Sequence, residues 1–306
     1  MRKKNKNSFL FLRRFFTISR IFLIPAFILL IIFVFYPIVA TIYTSFLSRT
    51  GEFVGLSNYN FVLFKGVYPL INTPNLLQGA LPLGGLINNF IWIAIHLPIV
   101  VLSGMFLAVL LRDVKGGTII KSIVFLGVVI PLVVGGVLFR FIYDNDAGVA
   151  NAFLRLIGLG DYTRTWYAFS NTALLSIILG SIWIWTGFGM IVYSAGLQGI
   201  PIELYEAAAI DGASKWKTFW RITVPMLKST SIVVVTMTVL WELKIFDIVY
   251  VVTKGGPGGA SDVLAYEMYN TAFYGGNFGA GSAIAIILTL MTIGFAAYMV
   301  SRMSKS

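Results

Sequence analysis

The chain has 306 residues, 58% of them hydrophobic and only 11% charged, with a mean hydropathy of +0.87. A soluble domain carries about a quarter charged residues, so this composition excludes a soluble globular fold and leaves helices that face lipid or one another. The net charge of +11 does not argue for nucleic acid, because it gathers ahead of an apolar run, and the lack of cysteine excludes a disulfide framework, a Cys-based metal site and a thiol nucleophile.

Residues 1–17 form a basic tail holding Arg2, Lys3, Lys4, Lys6, Arg13 and Arg14. The apolar stretch Ile18–Phe46 that follows is far longer than a signal-peptide core of roughly 7–15 residues, so it reads as a retained span. A helix needs about 20 apolar residues to cross the hydrocarbon. Five further windows qualify, near 86–111, 118–143, 173–197, 224–252 and 278–303. The expected fold is an all-α membrane protein, one transmembrane domain over 18–303 with about six helices. Loop 47–85, rich in Gly and Pro, is either a plain connector or a landing surface for an extracellular partner. The basic residues Arg112, Lys115, Lys215, Lys217 and Arg221 share a side with the tail. The acidic residues Glu52, Asp144, Asp161 and Asp262 lie on the other. This bias predicts a multi-pass protein of the cell membrane with both termini cytoplasmic.

The lone His96 lies in the second window, with no second histidine or cysteine to build a metal or catalytic constellation, and reads as a histidine packed between helices. Trp185 and Phe188, three apart on the fourth span, present a wall of rings. Between the fourth and fifth spans, 201–223 is a polar interruption with Glu206, Ala207 and Ala208, then Asp211 and Gly212, and a restart at Pro225. Alanines permit close approach, Glu206 offers charge to a basic partner, and Gly212 permits a turn that Cβ-bearing residues resist. That pattern is a docking device. In the fifth span Thr238, Trp241, Glu242 and Ile245 share a helical face. A carboxylate and a hydroxyl beside a ring suit a sugar, whose C–H faces stack while its hydroxyls need hydrogen bonds; ordinary packing is the other reading. Lys244 and Asp247, three apart, are expected to form a structural ion pair.

Glu206-Ala-Ala, Gly212 and Ile222-x-Val224-Pro225 together resemble the coupling segment of ABC-importer permeases. Gly55-Leu56-x-Asn58-Tyr59, Gly148 with Asn151, Phe246-Asp247-x-Val249-Tyr250, Gly255-Gly256-Pro257 and Phe278-Gly279 extend the resemblance over nearly the whole chain. The type is the carbohydrate-uptake permease, maltose-F-like or glycerol-phosphate-A-like. Departures are Val224 for the commoner leucine and Asn88-Asn89 where Asn-Thr is usual. The resemblance implies half of the translocation pore of an ATP-driven, binding-protein-dependent sugar importer. It also implies a second paralogous permease, two ATPase subunits and an extracellular solute-binding protein as partners, with the coupling role on Glu206, Ala207, Ala208, Asp211 and Gly212. The chain holds no Gly-x-x-x-x-Gly-Lys-Ser/Thr loop, so ATP and Mg are expected on the ATPase subunits, with no cofactor or metal here and no enzymatic activity. Open alternatives are a non-sugar cargo (glycerol phosphate, a polyamine, phosphate or a peptide), an ion-coupled secondary transporter and a membrane-embedded enzyme.

Overall fold

The computed structural model describes residues 22–112 and 114–303; the basic tail 1–17 and Lys305 lie outside the described residues. Long apolar runs become long helices: α1 Phe22–Thr44, α2 Gly85–Leu110, α6 Ala173–Gln198 and α12 Phe278–Met303. At 1.5 Å rise per residue, the 26 residues of α2 reach about 39 Å, enough to cross a hydrocarbon layer of about 30 Å. Between α2 and α6 come α3 Gly117–Val129, α4 Leu132–Ile142 and α5 Val149–Leu156. After α6 follow α7 Ile202–Ile210, α8 Lys215–Met226, α9 Lys228–Leu243, α10 Asp247–Val252 and α11 Leu264–Tyr269. The described residues contain no strand, only an isolated bridge between Leu47 and Phe53.

Two expected spans are not straight rods. In the 118–143 window α3 and α4 meet at 104°. The cause is local: Ile130 precedes Pro131, whose ring pushes the preceding residue out of the helical region, and Ile130 is extended at φ −69°, ψ 127°. The 224–252 window divides twice. α8 and α9 meet at 68°, with the bend at Leu227 (φ −85°, ψ 8°), so Pro225 sits ahead of the bend and the straight helix restarts at Lys228. α9 then stops at Leu243, and α10 begins only at Asp247. This second break corrects the expected pair of Lys244 and Asp247. They lie on opposite sides of a non-helical turn, so three-residue spacing no longer brings them together; among the described residues the one ion pair is His96–Glu242.

α6 is the most buried of the long helices and packs on α2, α3 and α9. With lipid as apolar as any side chain, such contacts depend on close approach through small residues. Where α2 crosses α6, a Cβ on Gly104 would stand 3.0 Å from the backbone of Gly189, and beside them the Ser103 and Thr186 hydroxyls hydrogen-bond at 2.9 Å. Where α3 crosses α6, a Cβ on Gly187 would meet the Val124 carbonyl at 2.8 Å. α10 rests on α4 in the same way, with Gly136 facing Val251. The opening helix α1 touches chiefly α12, and its most apolar window has no buried residue.

The short motifs noted in the sequence clamp loops onto these helices. Asn58 donates to the Ser45 and Leu47 carbonyls at 2.8 and 2.7 Å, and Ser45 pairs with the Tyr59 hydroxyl at 2.8 Å. A Cβ on Gly279 would collide with the same Leu47 carbonyl, so this glycine lets α12 pass the clamp. Asn151 ties together the Asp144 and Arg164 carbonyls and the Trp166 indole. In the Gly-Gly-Pro turn, Ser261 donates to the Gly256 carbonyl at 2.6 Å, and its oxygen lies 2.8 Å from the Thr253 hydroxyl.

If the α3–α6 crossing is as tight as this geometry requires, Gly187→Val overpacks it and costs about 1–3 kcal/mol. Gly294→Ala, where an added Cβ meets nothing within 4 Å, is the control. Thermal unfolding in detergent is expected to show a clear loss for the first and none for the second.

Candidate functional site

Polar residues on α2 organise the centre of the molecule. Asn89, Trp92 and His96 fall on one helical face, and all are fully buried. His96 Nδ1 lies 2.6 Å from Glu242 Oε1 on α9, where the two side chains are 0% and 1% exposed. A lone carboxyl at this depth would be costly, and the imidazole is what makes it tolerable. Asn89 works on backbone. It donates to the Glu242 carbonyl at 3.0 Å and accepts from the Leu264 N–H at 2.8 Å. These groups sit at the last turn of α9 and the first residue of α11, where a helix lacks internal partners. Asn88 donates to the Ala260 and Asp262 carbonyls at 3.2 and 2.8 Å. One pair of adjacent amides thereby ties α2 to the end of α9 and to the loop leading into α11.

The expected polar stripe on α9 divides. Thr238, Glu242 and Ile245 are 1%, 1% and 5% exposed and turn into the protein. Glu242 faces α2, where it meets His96, and Ile245 lies past the end of α9 in the non-helical break, so it no longer shares the helical face expected for it. Trp241 departs from them. Its ring lies 3.9 Å from that of Trp185 and 4.9 Å edge-on from that of Phe188, with Trp241 and Phe188 only half-buried. The expected ring pair on α6 and the ring of Trp241 thus form a single aromatic wall across α6 and α9. Thr238 Oγ1, Glu242 Oε2 and the Trp185 indole N–H find no hydrogen-bond partner among the described residues.

The 201–223 segment forms a separate surface. α7 ends at Ile210, and Gly212 at φ +68° closes it while the Ala213 N–H bonds the Ala208 carbonyl at 2.9 Å. Ser214 then caps α8 by accepting from the Lys217 N–H. Ala208 is buried, whereas Glu206, Ala207, Asp211 and Gly212 are exposed. So are large apolar side chains nearby: Ile210 is 87% and Trp216 69% exposed, a patch of the kind that marks a partner surface. Tyr205 closes the segment on itself, its hydroxyl meeting Thr223 at 3.2 Å, and ties it to the end of α2 through the Arg112 guanidinium, 4.9 Å from its ring. A cleft of ≈ 570 Å³ lies behind it, between α7, α8 and the end of α2.

Sequence reasoning singled out the rings and placed His96 between helices, as it is, but did not find its partner Glu242, the role of Asn89 or the Arg112–Tyr205 contact. The signal for Asn89 and His96 was present, as polar residues seven apart in an apolar run.

Removing one member of the buried pair should cost more than removing both. His96→Leu leaves Glu242 without a partner and is expected to lower stability by roughly 2–4 kcal/mol. The double variant His96→Leu/Glu242→Met should recover most of it. Unfolding of the two variants in detergent micelles checks this, and equal losses would mean that the pair is not coupled.

Known proteins agree with this architecture. The family model of binding-protein-dependent transport system inner membrane components matches residues 99–305. A probable ABC transporter permease protein of Pyrococcus horikoshii is 50% identical, covering 92% of this chain and 96% of its own. The alpha-glucoside transport system permease protein AglF of Rhizobium meliloti is 36% identical, over 89% of this chain and 78% of its own. Among solved structures, a bacterial ABC transporter involved in the import of the acidic polysaccharide alginate superposes with a TM-score of 0.79 at 20% identity, covering 98% of this chain and 99% of that one. The chain therefore belongs to the binding-protein-dependent transport system inner membrane components, the multi-pass permeases of ABC transporters.

Proposed function

We propose that this chain is one permease subunit of an ATP-driven saccharide importer and forms half of its translocation path. The observation that carries the sugar reading is the wall of Trp185, Trp241 and Phe188. A pyranose presents polarised C–H bonds to an aromatic face, and the ring quadrupole attracts them. The relative named for alpha-glucosides and the fold neighbour that imports alginate support a saccharide cargo. Glu242, though turned inward, contributes by holding α9 against His96 so that Trp241 keeps its place beside Trp185.

ATP is bound elsewhere in this reading, on two ATPase subunits, since the chain has no loop built to cradle phosphates. The exposed turn from Glu206 to Gly212 receives their motion. With both termini and this turn cytoplasmic, as the basic bias supports, closure of the ATPases pulls on α7. Tyr205 and Ala208 pass the pull to the bundle, which rocks against a second, paralogous permease as a rigid body. An extracellular solute-binding protein delivers the sugar at the opposite end; a fold neighbour was solved in complex with an alginate pentasaccharide-bound periplasmic protein.

Three variants test this reading in vesicles carrying the full transporter. Gly212→Leu, which forces a side chain onto φ +68°, and Glu206→Lys are each expected to abolish uptake at normal membrane abundance. Trp241→Ala should lower saccharide uptake by about tenfold, the equivalent of about 1.4 kcal/mol of lost ring contact, and leave basal ATP hydrolysis unchanged. Full uptake by both loop variants would reduce 201–223 to a connector.

A further inference from the structure

The aromatic wall is not isolated. Phe246, in the break after α9, packs on the same cluster as Trp185 and Trp241, and from it a second set of rings runs away from the α7 end of the bundle. Phe246 lies 5.3 Å from Tyr250 and 5.2 Å from Tyr269. Tyr269 lies 5.2 Å from Phe273 and 5.6 Å from Tyr274. Each centroid separation falls within the range of direct ring contact, about 4.5–7 Å. Exposure rises along the series: Phe246, Tyr250 and Tyr269 are half-buried, while Phe273 and Tyr274 are 64% and 66% exposed.

Three features separate this series from a belt of anchoring rings at a membrane surface. Belt residues act singly, each with its polar tip among headgroups, whereas these rings touch in sequence. The rings also close on one another, since Tyr250 lies 5.8 Å edge-on from Tyr269 as well as stacking on Phe246. The series is built from the broken part of the chain, α10, α11 and the turn after it, rather than from the lipid-length helices. Contiguous π faces bordered by hydroxyls, which both donate and accept, are complementary to a carbohydrate with an apolar C–H face and a polar rim.

We propose that Phe246, Tyr250, Tyr269, Phe273 and Tyr274 form a stacking track that receives a pyranose-containing saccharide at the end of the bundle opposite α7 and leads it to Trp241. The proposal rests on the sugar reading of the Trp185–Trp241 wall and extends it to a second, outer site. Successive rings at nearly equal spacing let a sugar exchange one contact for the next, so no step requires it to be fully freed.

Saturation-transfer NMR on the full chain in lipid nanodiscs tests this, with irradiation of aromatic protons and empty discs as control. The probes are maltotriose, trehalose and an alginate trisaccharide, with sorbitol as a polyol lacking a pyranose face. Transfer to at least one saccharide and not to sorbitol is expected. Tyr269→Leu and the exposed Phe273→Leu should each weaken it by about two- to tenfold, while Tyr269→Phe, which keeps the ring, should retain most of it. If Trp241→Leu abolishes the signal while Tyr269→Leu and Phe273→Leu leave it intact, the track is overturned and the inner wall stands. Equal transfer to sorbitol overturns stacking as the mode of recognition. No transfer to any saccharide overturns the track and the sugar reading together.

Discussion

A helix that stops within a membrane-spanning bundle exposes backbone groups that lipid cannot satisfy, and where this chain stops one, other parts of the protein take up the freed groups. α9 ends at Leu243 and α11 begins at Leu264, and both ends are closed from α2: Asn89 takes the Glu242 carbonyl and the Leu264 N–H, and Asn88 takes two carbonyls of the intervening loop. Two turns along α2, His96 holds the Glu242 side chain. These contacts join residues about 150 to 175 positions apart in sequence. They are what allows the second half of the chain to break its helices and still pack.

The consequence is a division of labour. α2, α6 and α9 form a block sealed by glycine crossings and the Asn89–His96–Glu242 contacts, well suited to move as one piece because packed interiors do not deform continuously. The broken segments beyond Leu243 carry exposed rings, and the 201–223 segment carries exposed charge and apolar side chains at the other end of the block. A pull at one end can be felt at the other because what lies between is stiff.

Much of this was legible in the sequence. The four long spans follow from uninterrupted apolar runs, and the reversal at Gly212 follows from a glycine placed just after a helix. The bend at Pro131 had a visible cause, but its 104° angle depends on α4 finding α10 through Gly136. The break at 244–246 had no Gly or Pro to announce it; it is imposed by tertiary partners for the freed backbone. For the same reason Lys244 and Asp247, well spaced for a helical pair, do not form one. Glu242 was read as a carboxylate set beside a ring, yet its partner was overlooked because His96 was judged alone rather than as one of three buried residues on a single face. Periodicity reports which face a residue occupies; it cannot report which of two buried faces meets lipid, protein or cargo.

The central claim, an ATP-driven saccharide permease, is tested most directly by accumulation of labelled saccharide in proteoliposomes. These would contain this chain, its partner permease and its ATPase subunits, with the binding protein added on the face opposite α7. The account predicts accumulation that requires ATP on the α7 face, stops when the ATPase subunits are omitted, and persists when ionophores collapse every ion gradient. Accumulation driven by an ion gradient without ATP would contradict it.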